Sequence, residues 1–218
     1  MSRSRSRHQV QRIRDRAHYD RVTAHAILDA GFLAHVGFCV GSQPFVIPML
    51  YARDGDTLLL HGSIASRLVD RVGEGIEACV EVTLVDALVL ARSHFHHSMN
   101  YRSVVAFGHA RAITAPGEKA EALTSFVNAM LPGRAAESRA PDRNELAATA
   151  VLRFVITDFS AKIRAAGAKD DKADLALPHW AGVVPIEQRH GMPQAEPDCN
   201  ADLPDSVRRL FKRPSTPA

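Results

Sequence analysis

The feature that most constrains the fold is a series of apolar, β-branched runs joined by very short turns. Residues 32–40 end at Gly41-Ser42-Gln43-Pro44, residues 45–52 end at Asp54-Gly55, and a third run covers 57–60. Strands joined by so short a turn must run antiparallel. Further strands are predicted at 76–85, 87–92, 103–113 and 151–157. The chain is therefore predicted to be mainly β, an antiparallel barrel with inserted helices and not an alternating βαβ sheet.

Helix signals are few and lie between the strands. Asp20 is a suitable N-cap for a helix that ends before Gly31, Pro116 starts a helix that runs to about residue 131, and Pro141-Asp142 opens another. We expect Asp86 to turn the chain between two separate strands. No phosphate loop of the Walker type, no Gly-x-Gly-x-x-Gly fingerprint and no Gly-x-Ser-x-Gly elbow occurs, which argues against those nucleotide-binding and hydrolase classes.

Charge and composition divide the chain into three parts. The net charge is only +3, and six arginines lie in residues 1–16, which we expect to be a flexible basic tail. Residues 17–187 form the predicted domain, and the Pro-rich segment 188–218 is expected to have little order. No aromatic residues interleave the basic tail and no apolar run is long enough for a membrane span, so neither nucleic acid nor membrane is an expected partner. Three cysteines without metal spacing and the lack of an apolar leader favour a cytoplasmic protein.

The segment Leu60–Arg67 has the pattern of a phosphate-binding turn. An apolar strand leads through His61-Gly62-Ser63 into a predicted helix whose first turn carries Ser66 and Arg67. The first N–H groups of a helix are unpaired and the helix dipole is positive there, while an arginine adds a forked cationic donor. A simple helix cap is the competing interpretation.

Pro48 interrupts the strand that precedes this turn. Proline removes a ladder donor, so it belongs at a sheet edge or beside a ligand. Because neighbouring strands lie about 5 Å apart, a flat ring along this hairpin could contact Ile47, Pro48 and Met49 while its phosphate reaches Ser66 and Arg67.

A histidine-rich loop, Ser93 to Ser98, contains His94, His96 and His97. The cluster suggests a metal or haem ligand, but the sequence offers no carboxylate or cysteine that would complete a closed site, so no metal site is expected. The residues that follow, Asn100 to Ser103, are suited to hydrogen bonding with a heterocycle or a phosphate.

Three blocks resemble the pyridoxamine 5′-phosphate oxidase-like flavin-binding split barrels, in the branch related to nitroimidazole-resistance reductases. They are 44–51, 60–67 and 98–108, in the family's order, within a similarity that covers about residues 17–186. The resemblance implies a homodimer of six-stranded antiparallel split barrels with flavin mononucleotide (FMN) in clefts at the interface. The implied cofactor-binding residues are Ile47, Pro48, Met49, His61, Gly62, Ser63, Ser66, Arg67, Tyr101, Arg102, Ser103 and Trp180.

The family pattern implies an FMN-dependent oxidoreductase that acts on a small molecule. His61 corresponds to the histidine that stands near the flavin, and it is the candidate catalytic residue. Trp180 is followed by Ala-Gly-Val-Val-Pro and not by the arginine of the oxidases proper, which argues against pyridoxamine phosphate as substrate. Two alternatives stay open: a non-catalytic flavin or haem carrier or sensor that uses the histidine cluster, and a deazaflavin (F420)-dependent reductase on the same barrel.

Overall fold

The computed structural model describes residues 7–63 and 74–212, which form an antiparallel barrel decorated by four helices. The helices are α1 (Arg21–Ala30), α2 (Pro116–Met130), α3 (Arg143–Ala148) and α4 (Asp205–Lys212). The strands are β1 (Ala17–His18), β2 (Leu33–Val40), β3 (Gln43–Asp54), β4 (Thr57–Ser63), β5 (Glu74–Leu90), β6 (Ser98–Ala112), β7 (Thr149–Arg164) and β8 (Gly182–Pro185).

Six strands close into a ring. Their order is β7-β4-β3-β2-β5-β6, and pairing of β6 with β7 closes the circle. The two-residue turns between β2 and β3 and between β3 and β4 each contain a glycine with positive φ, Gly41 at 60° and Gly55 at 58°. The predicted six-stranded antiparallel split barrel with helices is confirmed.

The prediction of two strands separated by a turn at Asp86 is wrong. The chain runs through this residue as one strand, β5, with a bulge between Val85 and Ala87. A bulge accommodates one extra residue without ending the strand, and the Asp86 carboxylate is held by Arg102 on β6. Strands β6 and β7 are also longer than predicted, because their polar ends still pair with neighbouring strands.

The barrel interior is filled by alternate residues of every strand and by one face of α1. The fully buried residues of this core include Leu58, Leu60, Val80, Leu152 and Phe154. Asp20 caps α1 as predicted, since its carboxylate accepts a hydrogen bond of 2.8 Å from the Thr23 N–H. A second core lies outside the barrel, where Phe126 of α2 packs with Leu59 and Val151.

Both end segments contact the folded chain. The Arg7 guanidinium lies 2.9 Å from the Glu77 carboxylate and over the Phe107 ring. In the segment expected to have little order, the structure contains α4, whose buried Ser206 donates from N–H and Oγ to the Glu137 carboxylate. The domain boundaries proposed from composition stay a prediction. No helix in the described ranges is long and apolar enough to cross a membrane.

Candidate functional site

The barrel opens between β3 and β4. The two strands pair only from Tyr51–Leu60 to Asp54–Thr57, and beyond that point β4 continues along β7 while β3 continues along β2. Residues 46–50 and 61–63 therefore line two sides of a split. This split brings together Ile47, Pro48, Met49, His61, Gly62 and Ser63, half of the cofactor-binding residues expected from the sequence.

The backbone of β3 offers hydrogen-bonding groups to this split. The Tyr51 N–H donates to the carbonyl of Phe32, the residue directly before β2, at 3.2 Å. Because backbone groups alternate in direction along an antiparallel strand, Val46, Pro48 and Leu50 point theirs toward the split. Proline at 48 therefore costs no hydrogen bond to β2. Its side chain is exposed, whereas Ile47 and Met49 pack against the barrel core, so the strand presents backbone and a small apolar ring to a ligand.

His61 forms the opposite side of the split and is half-buried. Its ring meets the Phe126 ring of α2 edge to face, with centroids 4.3 Å apart. Burial lowers the pKa of His61 below its usual value of 6.5. The imidazole is therefore neutral at neutral pH, and it can donate or accept one hydrogen bond at the edge of the split.

The lowered pKa of His61 predicts a pH-dependent stability. Well above pH 6.5, His61 is neutral in both the folded and the unfolded chain. As the pH decreases through 6.5, the unfolded chain takes up a proton more readily than the folded chain does. The free energy of unfolding therefore decreases until the pH is below the pKa of the folded state. We expect His61→Gln to lose less unfolding free energy than the wild type between about pH 7.5 and about pH 5. Urea unfolding across this range checks it, and parallel profiles for the two proteins would contradict the burial argument.

The structure describes only part of the expected phosphate-binding segment, Leu60–Arg67. Gly62 and Ser63 end β4 in register with Ala150 and Thr149 of β7. Ser66 and Arg67 lie outside the described residues, directly beyond this end of β4. The end of β4 at Ser63 therefore lies at the split, and the predicted phosphate-binding turn follows it in the sequence.

The third block lies on the opposite side of the barrel. Its strand β6 is separated from β3 by two strands in either direction around the ring. Tyr101 pairs with Val85 and Arg164, and Ser103 pairs with Thr83 and Lys162. Within one chain these residues are therefore not brought together with the split.

Arg102 is held by Asp86 in a two-pronged ion pair. Its Nη2 lies 2.7 Å from Oδ1 of Asp86 and its Nε lies 3.0 Å from Oδ2. This carboxylate raises the pKa of Arg102 above its usual value. The guanidinium is thus fixed in position, and its positive charge is balanced by the Asp86 carboxylate. Arg102 is therefore better suited to orienting neighbouring groups than to pairing with the charge of a ligand phosphate.

Sequence reasoning missed three residues at these places: Asp86, Phe126 and Arg164. The single carboxylate among the otherwise apolar residues 84–90 of β5 was a signal that Asp86 needs a partner. Phe126 packs in the second core, but no sequence pattern indicates that its ring meets His61. Arg164 is buried, and its guanidinium donates to the Ala166 and Gly167 carbonyls. Its position at the end of a longer strand than predicted hid this role.

Trp180 is exposed and precedes β8. Its ring lies over Gly182, where an added Cβ would be 2.7 Å from the ring. β8 pairs with the end of β5, so Trp180 lies near the end of β5 and not in the β3–β4 split of its own chain.

The three loop histidines have different surroundings. Nδ1 of His97 lies 2.9 Å from the Ser93 carbonyl, Nε2 of His96 lies 3.4 Å from the Asp171 carboxylate, and the His94 ring meets the His97 ring edge to face. Within residues 7–63 and 74–212 no group of three or more His, Cys, Asp or Glu side chains is placed to hold a metal ion.

Comparison with known proteins gives a consistent assignment. The sequence model of the pyridoxamine 5′-phosphate oxidase family matches residues 20–163. The flavocytochrome Anf3 from Azotobacter vinelandii superposes with a TM-score of 0.88 at 38% sequence identity, covering 94% of this chain and 96% of that one.

Two further structures are similar. The FAD- and haem-binding protein from Mycobacterium smegmatis superposes with a TM-score of 0.85 at 37% identity, covering 89% of this chain and 97% of that one. A protein put forward as a 5-nitroimidazole antibiotic resistance protein from Bacteroides thetaiotaomicron has a TM-score of 0.58 at 17% identity over 78% and 90% of the chains, which shows the fold alone. A search of curated protein sequences found no match.

Proposed function

Because this chain belongs to the pyridoxamine 5′-phosphate oxidase family of flavin-binding split barrels, we propose that it is an oxidoreductase that binds FAD together with haem. The observation that carries the proposal is the whole-length similarity to two proteins that are a flavocytochrome and an FAD- and haem-binding protein. FMN, the flavin implied by the sequence blocks, and deazaflavin F420 are the competing cofactors.

The β3–β4 split has the features that a flavin ring requires. Backbone groups of Val46, Pro48 and Leu50 point into it, and such groups can pair with the hydrogen-bonding edge of a flat heterocycle. The exposed Pro48 ring offers apolar contact. Ser66 and Arg67 would hold the flavin phosphate. A bound flavin would supply two-electron chemistry, and the chain would orient it and set its electrostatic surroundings.

His61 would act at the edge of the flavin site. A neutral imidazole is able to donate a hydrogen bond to the flavin or to a small substrate and to accept a proton. Phe126 fixes the plane of its ring. We assign His61 a role in holding the cofactor, with proton transfer as the further role.

Two copies of the chain would complete the site. Tyr101 and Ser103 lie across the barrel from the split, so they can contribute to a flavin in the split only from a second copy. A homodimer with the cofactor at the interface therefore fits the placement of all three sequence blocks. The free thiols of Cys39, Cys79 and Cys199 are in keeping with a cytoplasmic location, which is part of the proposal.

The chromophores that co-purify with the full-length protein test the proposal. We expect the visible absorbance bands of a flavin together with a Soret band, and chromatography of the released flavin should identify FAD. Bleaching of both bands by a reduced nicotinamide or a low-potential electron donor would support turnover over simple carriage. A colourless protein that takes up neither FAD nor FMN at micromolar concentration would refute flavin binding.

A further inference from the structure

His97 is oriented in the way that haem-ligating histidines are. Its Nδ1 lies 2.9 Å from the Ser93 carbonyl, which accepts a hydrogen bond from the Nδ1–H tautomer. That hydrogen bond fixes the ring and leaves the lone pair on Nε2, the atom that binds iron when Nδ1 is tied to a carbonyl. The side chain is exposed, and Nε2 has no hydrogen-bond partner in the described ranges.

The two neighbouring histidines are less suited to the same task. Nε2 of His96 faces the Asp171 carboxylate at 3.4 Å, and its ring lies edge to face with Phe95. His94 is exposed and has no hydrogen bond to orient it among the described residues; its ring contact is with His97 itself. Of the three, His97 alone combines an anchored Nδ1 with an accessible Nε2.

An exposed apolar platform adjoins His97. Met99 on β6, Leu88 on β5 and Val184 on β8 are in register across three strands, so their side chains share one face of the sheet. Each is 42–46% exposed. His97 is extended and lies two residues before Met99, so its side chain emerges on the same face. Phe95, 88% exposed, lies in the same loop.

A histidine with a free Nε2 beside an apolar surface fits a porphyrin. A porphyrin is a large flat apolar ring whose iron takes an imidazole nitrogen, so it needs both a histidine and apolar cover. Covering adjoining exposed apolar side chains with a flat apolar ring removes them from water, which favours binding.

We propose that His97 would bind the haem iron through Nε2, and that Met99, Leu88 and Val184 would pack against the porphyrin. This inference rests on the proposed haem binding and names the site for it. In the bound state the Nδ1–H of His97 would donate to the Ser93 carbonyl, and Nε2 would be the atom that binds iron.

Hemin titration of haem-free, full-length protein tests the ligand. We expect the wild type to give a histidine-ligated Soret band, and His97→Ala to lose that ligand signature and to bind hemin roughly 10-fold or more weakly. His94→Ala is the matched control and should behave as the wild type. Imidazole added to His97→Gly should restore the spectrum, which separates ligation from a folding defect.

The possible outcomes distinguish haem binding by the protein from ligation of the haem by His97. A wild type that binds flavin but gives no Soret band would overturn haem binding and, with it, the role of His97. A wild-type Soret band that is unchanged in His97→Ala, or lost only in His94→Ala or His96→Ala, would overturn the ligand assignment and leave haem binding intact.

Leu88→Glu tests the platform by itself. The charge should weaken hemin binding several-fold while the spectrum of the bound fraction keeps its histidine signature, with Glu121→Gln on the outer surface of α2 as a control. If Leu88→Glu instead converts a dimer to a monomer in sedimentation and leaves hemin affinity unchanged, a second copy of the chain and not the porphyrin covers this face.

Discussion

Gly108→Ala is expected to be the most destabilising single-methyl substitution in the barrel, at about 3 kcal/mol or more of unfolding free energy. An ideal Cβ at this position would lie 1.9 Å from the Val155 carbonyl oxygen and 2.9 Å from its carbon. Neither strand can yield easily, because this is where β6 and β7 close the ring at an irregular step between Phe107 and Gly108. The melting temperature should fall by roughly 6–12 °C.

Gly117→Ala provides the matched control for this prediction. Gly117 lies in the first turn of α2, and an added Cβ would meet no atom within 4 Å. Alanine there should leave stability unchanged or raise it by up to about 1 kcal/mol, because it restricts the unfolded chain and favours the helix. Equal melting temperatures for the two variants would contradict the close approach of β6 to β7 that closes the barrel.

Arg67→Ala is expected to have the largest effect on flavin affinity. A charge-assisted hydrogen bond to a phosphate contributes about 1.5–3 kcal/mol, so the dissociation constant should rise about 10- to 100-fold. Ser66→Ala should raise it several-fold, since a neutral hydrogen bond contributes about 1 kcal/mol. Quenching of flavin fluorescence during titration of the apoprotein measures both.

Arg143→Ala is the control for charge alone. Arg143 is exposed at the start of α3, so its removal lowers the net charge equally without touching the expected site. If the Arg67→Ala protein melts as the wild type does and binds flavin with unchanged affinity, Leu60–Arg67 does not bind the flavin phosphate.

The hairpins and their registers were predictable because the signals are local. Gly41 and Asp54-Gly55 specify tight turns, and a tight turn leaves only antiparallel pairing of its strands. Asp20 and Asp142 likewise determine where α1 and α3 begin, and both cap their helices. Each of these inferences depends on interactions within a few residues.

The closure of the barrel and the joining of β5 were not predictable in the same way. Whether Asp86 turns the chain or sits in a bulge depends on Arg102, which arrives from another strand. The site is similar: Pro48 indicated an edge or a ligand, but only the divergence of β3 from β4 shows that the edge faces His61. That Tyr101 lies across the barrel follows from the strand order, which no local pattern encodes.

Hydrogen exchange of the full-length protein with and without FAD shows whether the flavin lies in the β3–β4 split. We expect FAD to slow exchange of the Val46 and Leu50 amides and of residues 61–63, with α3 and α4 unchanged. FAD that binds but slows exchange only in other segments would show that the flavin does not lie in this split.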